Sequence, residues 1–430
     1  QKIELCERIG KKVMMRIGYA CLTVGVPNTE LKTCLLKNAS DEKLTELIKH
    51  NLNALEKMID YNIDNQVELF RISSSLIPFG SNPVNRISWW EIFEKQLKKI
   101  GKKIAKSGMR VSMHPGQYTV LNAADENIVT NAIADLDYHA RIMDSLGLSP
   151  ENKIILHIGG VYNDKKQAIK RFLKNYQRLD ETVRKRLVIE NDDKSYTISD
   201  VLIIGKALDI PVVFDNLHHQ VNPCEENRPD SDWIDICKTT WKNQDGLQKI
   251  HYSQQHPDKK AGSHSKTIAI TEFMAYYQEL YGRDLDIMLE VKDKNLSAVK
   301  CINCTAGSKA INRLEQEWSK YKYAVLERSP LDYLEIRKLL NNKDSYPCME
   351  FYQLIESAFQ KETTIGHSIN VAQHIWGYFR TLALPSEKKY FLKLLDQYEK
   401  GEASLKKLKK NLWKMTVKYE QTYLLDSYYF

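Results

Sequence analysis

Short apolar runs alternate with longer stretches of helical period along most of this chain. The runs are VMMRIGYACL (13–22), QVELFRIS (66–73), RVSMH (110–114), KIILHIG (153–159), RLVIEN (186–191), PVVFDN (211–216), KIHYSQ (249–254) and DIMLEVK (286–292). Each is rich in Val, Ile, Leu or aromatic residues and has the length of a strand buried on both faces. Between them stand amphipathic stretches at 44–62, 89–108 and 128–147, the last two ending in glycine as helices often do. Further helices are expected at 166–179, 199–209, 232–243, 267–282 and 294–300. Eight strand-plus-helix units predict an α/β fold, the parallel (β/α)8 TIM barrel. A doubly wound open sheet is the rival, but no Gly-rich phosphate loop follows the first run.

After residue 304 the strand-like runs stop. Helical stretches at 318–340, 349–361, 368–380, 386–401 and 405–415 predict an all-α domain over 305–430, behind a barrel domain over 1–304. Ser386 follows Pro385 and precedes Glu387, which marks a helix start. The stretch KKLKKNLWKMTVKY (406–419) mixes cations and aromatics, as nucleic-acid surfaces do. Its plainer reading, a solvated helix with Leu408, Leu412 and Met415 buried, is preferred. His367 and His374 lie seven apart, near one helix face, and read as packing or solvent-facing residues rather than ligands.

Composition narrows this picture only slightly. The 430 residues are 43% hydrophobic, enough for a sizeable core, and carry a net charge of +8, which tolerates a polyanionic partner without demanding one. Of eight cysteines only Cys301 and Cys304 are closely spaced, and one CxxC cannot make a four-thiolate zinc site. The scatter predicts reduced thiols and a cytoplasmic location rather than a disulfide framework. No membrane-spanning run is present, and the start QKIELCERIGKKV is not read as a signal peptide.

The polar chemistry falls where a barrel builds its active site, at the C-terminal ends of the strands. Successive runs there deliver His114, His157, Glu190, Asp215 with His218 and His219, Lys249 with His251, and Glu290, while His264 follows in a loop. One such residue is ordinarily structural. Six runs supplying His, Asp or Glu to one rim point instead to metal ligation, because clustered carboxylates repel unless a cation neutralises them. The set exceeds what one ion needs, so two or three divalent ions are expected, with Glu190 able to bridge. Such a cluster suits phosphodiester hydrolysis. A metal-dependent sugar isomerase fits the same ligands.

The motifs RIGYA (16–20), FRISSSLIPFGS (70–81), HPGQYTVL (114–121), NAIADLDYHARIMDSLG (131–147), ILHIGGVYNDK (155–165), LVIENDDKSYT (187–197), VVFDNLHH (212–219), KIHYS (249–253) and LEVKDK (289–294) together resemble the ultraviolet damage endonuclease family. The resemblance implies a TIM barrel that nicks damaged double-stranded DNA immediately 5′ of photoproducts, both cyclobutane dimers and 6-4 photoproducts, and of abasic sites. It implies 3′-hydroxyl and 5′-phosphate ends, and Mn2+ ahead of Zn2+, Mg2+ or Co2+. It implies that His114, His157 and Glu190 hold one metal, that Asp215 and Glu290 join Glu190 at a second, and that His218, His251 and His264 complete the set. Glu190, Lys249 and His251 are then the catalytic candidates, with Lys249 open to carboxylation. Gln117 and Tyr118 match the pair inserted at a lesion while the damaged nucleotides flip out, and Tyr19 matches a further DNA-facing aromatic. Asn82 stands where many members have histidine. A non-catalytic damage-binding protein is the reading that this change would favour. A monomer is expected. The C-terminal segments W-x-x-Y-K-Y-x-V-L and G-H-x-x-N-V-x-Q-H-x-x-G-Y-F-R resemble the YbgA-like family of unknown function.

Overall fold

The structure, a computed structural model, describes residues 14–307 and 310–430. Val13, Cys6 and the N-terminal stretch examined for a signal peptide lie outside the described residues. Eight parallel strands close in chain order into a barrel. They are β1 (Met15–Ala20), β2 (Leu69–Ile72), β3 (Arg110–Met113), β4 (Lys153–His157), β5 (Leu187–Glu190), β6 (Val212–Asp215), β7 (Gln248–Tyr252) and β8 (Leu285–Leu289). Each falls within its apolar run except that β7 and β8 begin one residue earlier. Helices follow the strands on the outside, the first being Asp41–Asp64, whose N-cap Ser40 accepts from the Lys43 N–H at 3.2 Å.

Alternation along the strands fills the barrel in layers. At the bottom Asp286 is buried between two cations: Arg16 Nε donates to it at 2.7 Å and Arg110 Nη1 at 2.6 Å. Above, Ile155, Val188 and Val213 pack as one apolar cluster with Trp241, whose indole N–H donates to the Val212 carbonyl. Two residues further along those strands stand His157, Glu190 and Asp215. The registers His157↔Glu190 and Asp215↔His251 set the polar ends side by side.

The chain divides into two compact units, the second made mainly of Asn303–Phe430 with the short segments Gly25–Pro27 and Ala269–Met274. Its helices include Asn312–Arg328, Pro330–Leu339, Cys348–Gln360, Ile365–Trp376, Pro385–Glu399 and Leu405–Lys418. The single helix expected over 318–340 is two. Ser329 leaves helical conformation and caps the second, accepting from the Asp332 N–H at 3.2 Å, and Pro330 has no N–H to continue the first. The helix expected to start at Ser386 starts at Pro385, with Glu387 reaching back to the Leu384 N–H at 3.0 Å. Leu408, Leu412 and Met415 are buried in this unit's core, beside a stacked Trp376–Phe391 pair. No helix among the described residues is long and apolar enough to cross a membrane.

Candidate metal centre

Glu190 ends β5 fully buried, and its carboxylate is the hub of the rim. Oε1 accepts from His251 Nδ1 at 2.5 Å, and Oε2 lies 3.1 Å from His114 Nε2 and 3.7 Å from His157 Nε2. Two groups of ligand atoms converge on it: His114, His157 and Glu190, and Glu190, Asp215 and His218. Glu290 follows β8. Its Oε1 stands 3.5 Å from His251 Nδ1 and its Oε2 3.7 Å from His264 Nε2. The barrel thus brings together all eight of the expected His, Asp and Glu ligands.

Local structure explains how they are held. Asp215 caps the short helix Asn216–Val221, its Oδ1 accepting from the His218 N–H at 2.8 Å, which aims His218 back at the rim. Asn191 and Asp215 exchange hydrogen bonds of 2.9 and 3.0 Å, as do Asn216 and Ser253 at 2.8 and 3.0 Å. These side-chain amides extend the sheet beyond the ends of β5, β6 and β7. Gly159, after β4, has φ of 112°, and a Cβ there would meet Asn122 Oδ1 at 2.4 Å. Only glycine passes this turn.

The donor set fits cations. His114 Nδ1 faces the Pro115 carbonyl at 3.0 Å and its Nε2 faces Glu190, so both nitrogens meet acceptors. A neutral imidazole has one proton to give, and a positive ion resolves the second contact. His218 gives Nδ1 to the Asn191 carbonyl at 2.9 Å, and although burial opposes its charge, Asp215, Glu190 and Glu290 push the imidazole up to about 9, the mark of a rim that favours positive charge. Asp215 Oδ2 is buried without a hydrogen-bond partner. Burial, with Glu190 and Glu290 nearby, pushes the Asp215 carboxyl up to about 7 despite His218. Burial pulls His157 down to about 4, a neutral ligand at physiological pH. Burial opposes the charge on Glu190 too, but the imidazoles of His251 and His157 and two hydrogen bonds hold it well below the usual carboxylate range.

Lys249 lies one strand layer below His251. It is fully buried, and its Nζ has no hydrogen-bond partner. Asp286, its neighbour across β8, is already held by Arg16 and Arg110. Burial and the surrounding guanidiniums push the amine far below an ordinary lysine.

Gln117 and Tyr118 form the tip of a turn closed by the Thr119 N–H donating to the Gly116 carbonyl at 3.0 Å. Thr119 Oγ1 anchors the turn to Asp135 at 2.6 Å, and Tyr118 is 83% exposed. Such exposure excludes a packing role for the ring. Tyr19, expected to face DNA, is instead fully buried. Its hydroxyl bonds Thr23 and Asn62 at 2.7 Å each, and its ring meets Phe70 edge-on, because this position of β1 points away from the barrel interior. Asn82 is exposed, with Oδ1 accepting from the Val84 N–H at 3.0 Å in its own loop. His219 packs between Phe214 and Trp233.

Two supports are absent from the reading of the sequence. Arg71 on β2 is buried, with Nη1 on Glu290 at 2.6 Å and Nη2 donating to His251 Nε2 at 2.8 Å. Since Arg71 cannot accept, His251 carries its proton on Nδ1, the atom facing Glu190. An arginine in the middle of an apolar strand run is the signal for such a residue. His139, in the helix Glu126–Ser145, contacts Ser74 Oγ at 2.9 Å, and Ser74 donates to the His114 carbonyl at 2.7 Å.

Comparison with known proteins identifies the family. The UV-endonuclease UvdE family matches residues 15–322, and a family described as a protein of unknown function, DUF1722, matches residues 322–430. A UV DNA damage endonuclease of Clostridium perfringens is 41% identical over 93% of this chain and 97% of its own length. One from Bacillus cereus is 33% identical over 65% of this chain and 88% of its own. The crystal structure of SacUVDE superposes with a TM-score of 0.64 at 38% identity, covering 67% of this chain and 97% of that one.

Proposed function

The chain belongs to the UV-endonuclease family, and on that premise we propose that it is a metal-dependent DNA repair enzyme that nicks damaged duplex DNA immediately 5′ of ultraviolet photoproducts. One observation carries the reading. Within a single short loop, His114 faces the Glu190 hub and Tyr118, four residues on, stands 83% exposed. Cutting and inspecting chemistry are thereby tethered to the same strand end. A sugar isomerase would use the rim ligands but has no need of an exposed Gln-Tyr turn. A non-catalytic binder would need the turn but not the converging histidines and carboxylates of the rim.

His114, His157 and Glu190 would hold one divalent ion and Glu190, Asp215 and His218 a second, with His264 and Glu290 serving these or a third. His251, expected as a ligand, instead has its two nitrogens committed to Glu190 and Arg71 and would orient the Glu190 carboxylate. Mn2+ is the preferred ion, with Zn2+, Mg2+ or Co2+ as substitutes. When bound, such cations supply Lewis acidity toward a phosphodiester and its attacking water. Glu190 orients the imidazoles around it, and Arg71 holds Glu290 and His251 in place. Gln117 and Tyr118 enter the stack as the damaged nucleotides leave it, replacing lost stacking at a site already cheap to open. Lys249 takes up carbon dioxide as a neutral amine, giving a carbamate and a proton. Its setting among Arg110, Arg71 and Arg16 favours the resulting anion.

The test is incision of an irradiated duplex oligonucleotide with Mn2+, with and without chelator. The expected product is a 3′-hydroxyl end immediately 5′ of the photoproduct, lost in chelator and in Glu190→Gln. Absence of any nick beside the lesion with Mn2+ present sinks the proposal.

A further inference from the structure

Cys304 of the CxxC meets a cysteine far outside that motif. Cys304 lies in the last turn of the helix Asn295–Thr305, and Cys348 is the first residue of the helix Cys348–Gln360. Their Sγ atoms are 3.0 Å apart, although the residues are 44 positions apart in sequence. Carbon atoms in contact rest at about 3.5–4.0 Å, and the larger sulfurs should stand no closer. Two thiolates sharing a tetrahedral zinc ion, each at about 2.3 Å, would stand roughly 3.8 Å apart. The observed approach is closer than either and lies toward the disulfide distance of about 2.05 Å. Cys301 is buried one turn before Cys304, yet the three thiols do not converge as ligands. Among the described residues the groups able to hold an ion are both at the barrel rim.

The pair is also reachable. A surface cavity of about 500 Å³, lined by Cys304, Tyr346, Pro347, Cys348, Met349 and Glu350, opens onto it. Cys304 is partly exposed there and Cys348 is buried behind. The Tyr346 hydroxyl donates to the Asn303 carbonyl at 3.3 Å and stands beside Cys348.

We propose that Cys304 and Cys348 form a thiol–disulfide site whose substrate is a low-molecular-weight disulfide. The Cys304 thiolate attacks the small disulfide RSSR, forming a mixed disulfide and releasing RS⁻. The Cys348 thiolate then attacks the Cys304 sulfur, closing the intramolecular bond and expelling the second RS⁻. The protein loses two electrons and two thiol protons, and RSSR becomes two RSH. A reducing thiol pool reopens the bond by the reverse exchange. Closure ties a ring that spans the helices Asn312–Arg328 and Pro330–Leu339, restricting the unfolded ensemble of the helical unit.

The test uses the full chain, reduced and then titrated with oxidised glutathione, read by peptide mass mapping and thermal unfolding. The expected result is a Cys304–Cys348 crosslink, with an unfolding midpoint raised on the order of 10 °C and returned by dithiothreitol. Cys301→Ser retains both effects. Cys348→Ser loses them and accumulates the glutathione adduct on Cys304, which requires no stability change to be seen. Crosslinks through other cysteines without a 304–348 link, or a link formed only after denaturation, would overturn the proposal. So would copurifying zinc or iron that Cys304→Ser releases, since the sulfurs would then be metal ligands.

Discussion

Replacing Arg71 with methionine keeps the volume of the side chain and removes its charge and both of its contacts. Glu290 then loses its 2.6 Å guanidinium partner and His251 Nε2 its 2.8 Å donor, at positions where the arginine and glutamate side chains are only 7% and 14% exposed. Breaking a buried pair by removing one partner costs about 3–5 kcal/mol, because the remaining charge is neither hydrated nor compensated. For a domain of this size each kcal/mol moves the unfolding midpoint by about 2–4 °C, so Arg71→Met in chelator should unfold roughly 10 °C below wild type. The deficit should not persist when divalent ions are added. Glu190, Asp215 and Glu290 crowd one rim, and a cation bound there supplies the positive charge that the variant lacks. Ion addition should therefore raise the midpoint of Arg71→Met by at least about 5 °C more than that of wild type. Arg71→Lys restores charge but not the fork that spans two partners, and should recover about half of the loss. The assay is thermal unfolding of wild type and both variants in chelator and in saturating Mn2+. An identical deficit in both conditions would refute the idea that Arg71 balances the ligand cluster. A deficit under about 1 kcal/mol in chelator would refute the buried pair itself.

Three further outcomes follow from individual environments. Intact-mass and peptide spectra of the native protein, prepared with bicarbonate at pH 8, should show a carboxyl adduct on Lys249 that acid removes, while Lys249→Met should bind less Mn2+ at equal fold; an unmodified Lys249 under those conditions counts against the carbamate. Tyr118→Ala should leave the unfolding midpoint within about 1 °C, since the ring is 83% exposed, and should reduce discrimination between damaged and intact duplex by roughly 5- to 100-fold, the range expected for one base–aromatic stack; unchanged discrimination would remove the probing role. Asp230, at the start of the helix Asp230–Lys238, is pushed up to about 6 by burial and by Glu279. A carboxyl raised in the folded state binds extra protons when folded, so stability falls as pH rises from about 4 to about 6 and the cost is complete at neutral pH. Asp230→Asn should accordingly gain on the order of 3 kcal/mol at pH 7 and nothing below pH 4; denaturant titration at both values decides, and an equal effect at both would mean that proton linkage is not the cause.

What could be read from the sequence follows from how far each signal extends along the chain. A strand buried on both faces must be apolar throughout, so the eight runs declared themselves locally, as did the histidines and carboxylates that break the pattern at the strand ends. Arg71 breaks the same pattern, but what it does depends on partners brought beside it only by closure of the barrel, one of them 180 positions away. The split of the helix expected over 318–340 was open to inspection, because Ser329–Pro330 is a cap followed by a residue without an N–H. Tyr19 teaches a sharper lesson. It stands near a strand end like the ligands, but each rim residue carried by a strand shares its direction with an interior neighbour two positions earlier. Glu190 follows Val188, Asp215 follows Val213, His157 follows Ile155 and His251 follows Lys249. On β1 the interior series is set by Arg16, which reaches Asp286, and by Ala20, which packs with Leu69 and Met288. Tyr19 falls between them and must point outward, toward Asn62 of the first helix. Proximity to the end of a strand selects a residue for the rim only when its parity agrees, and that condition is decided by the two-residue period before any contact is known.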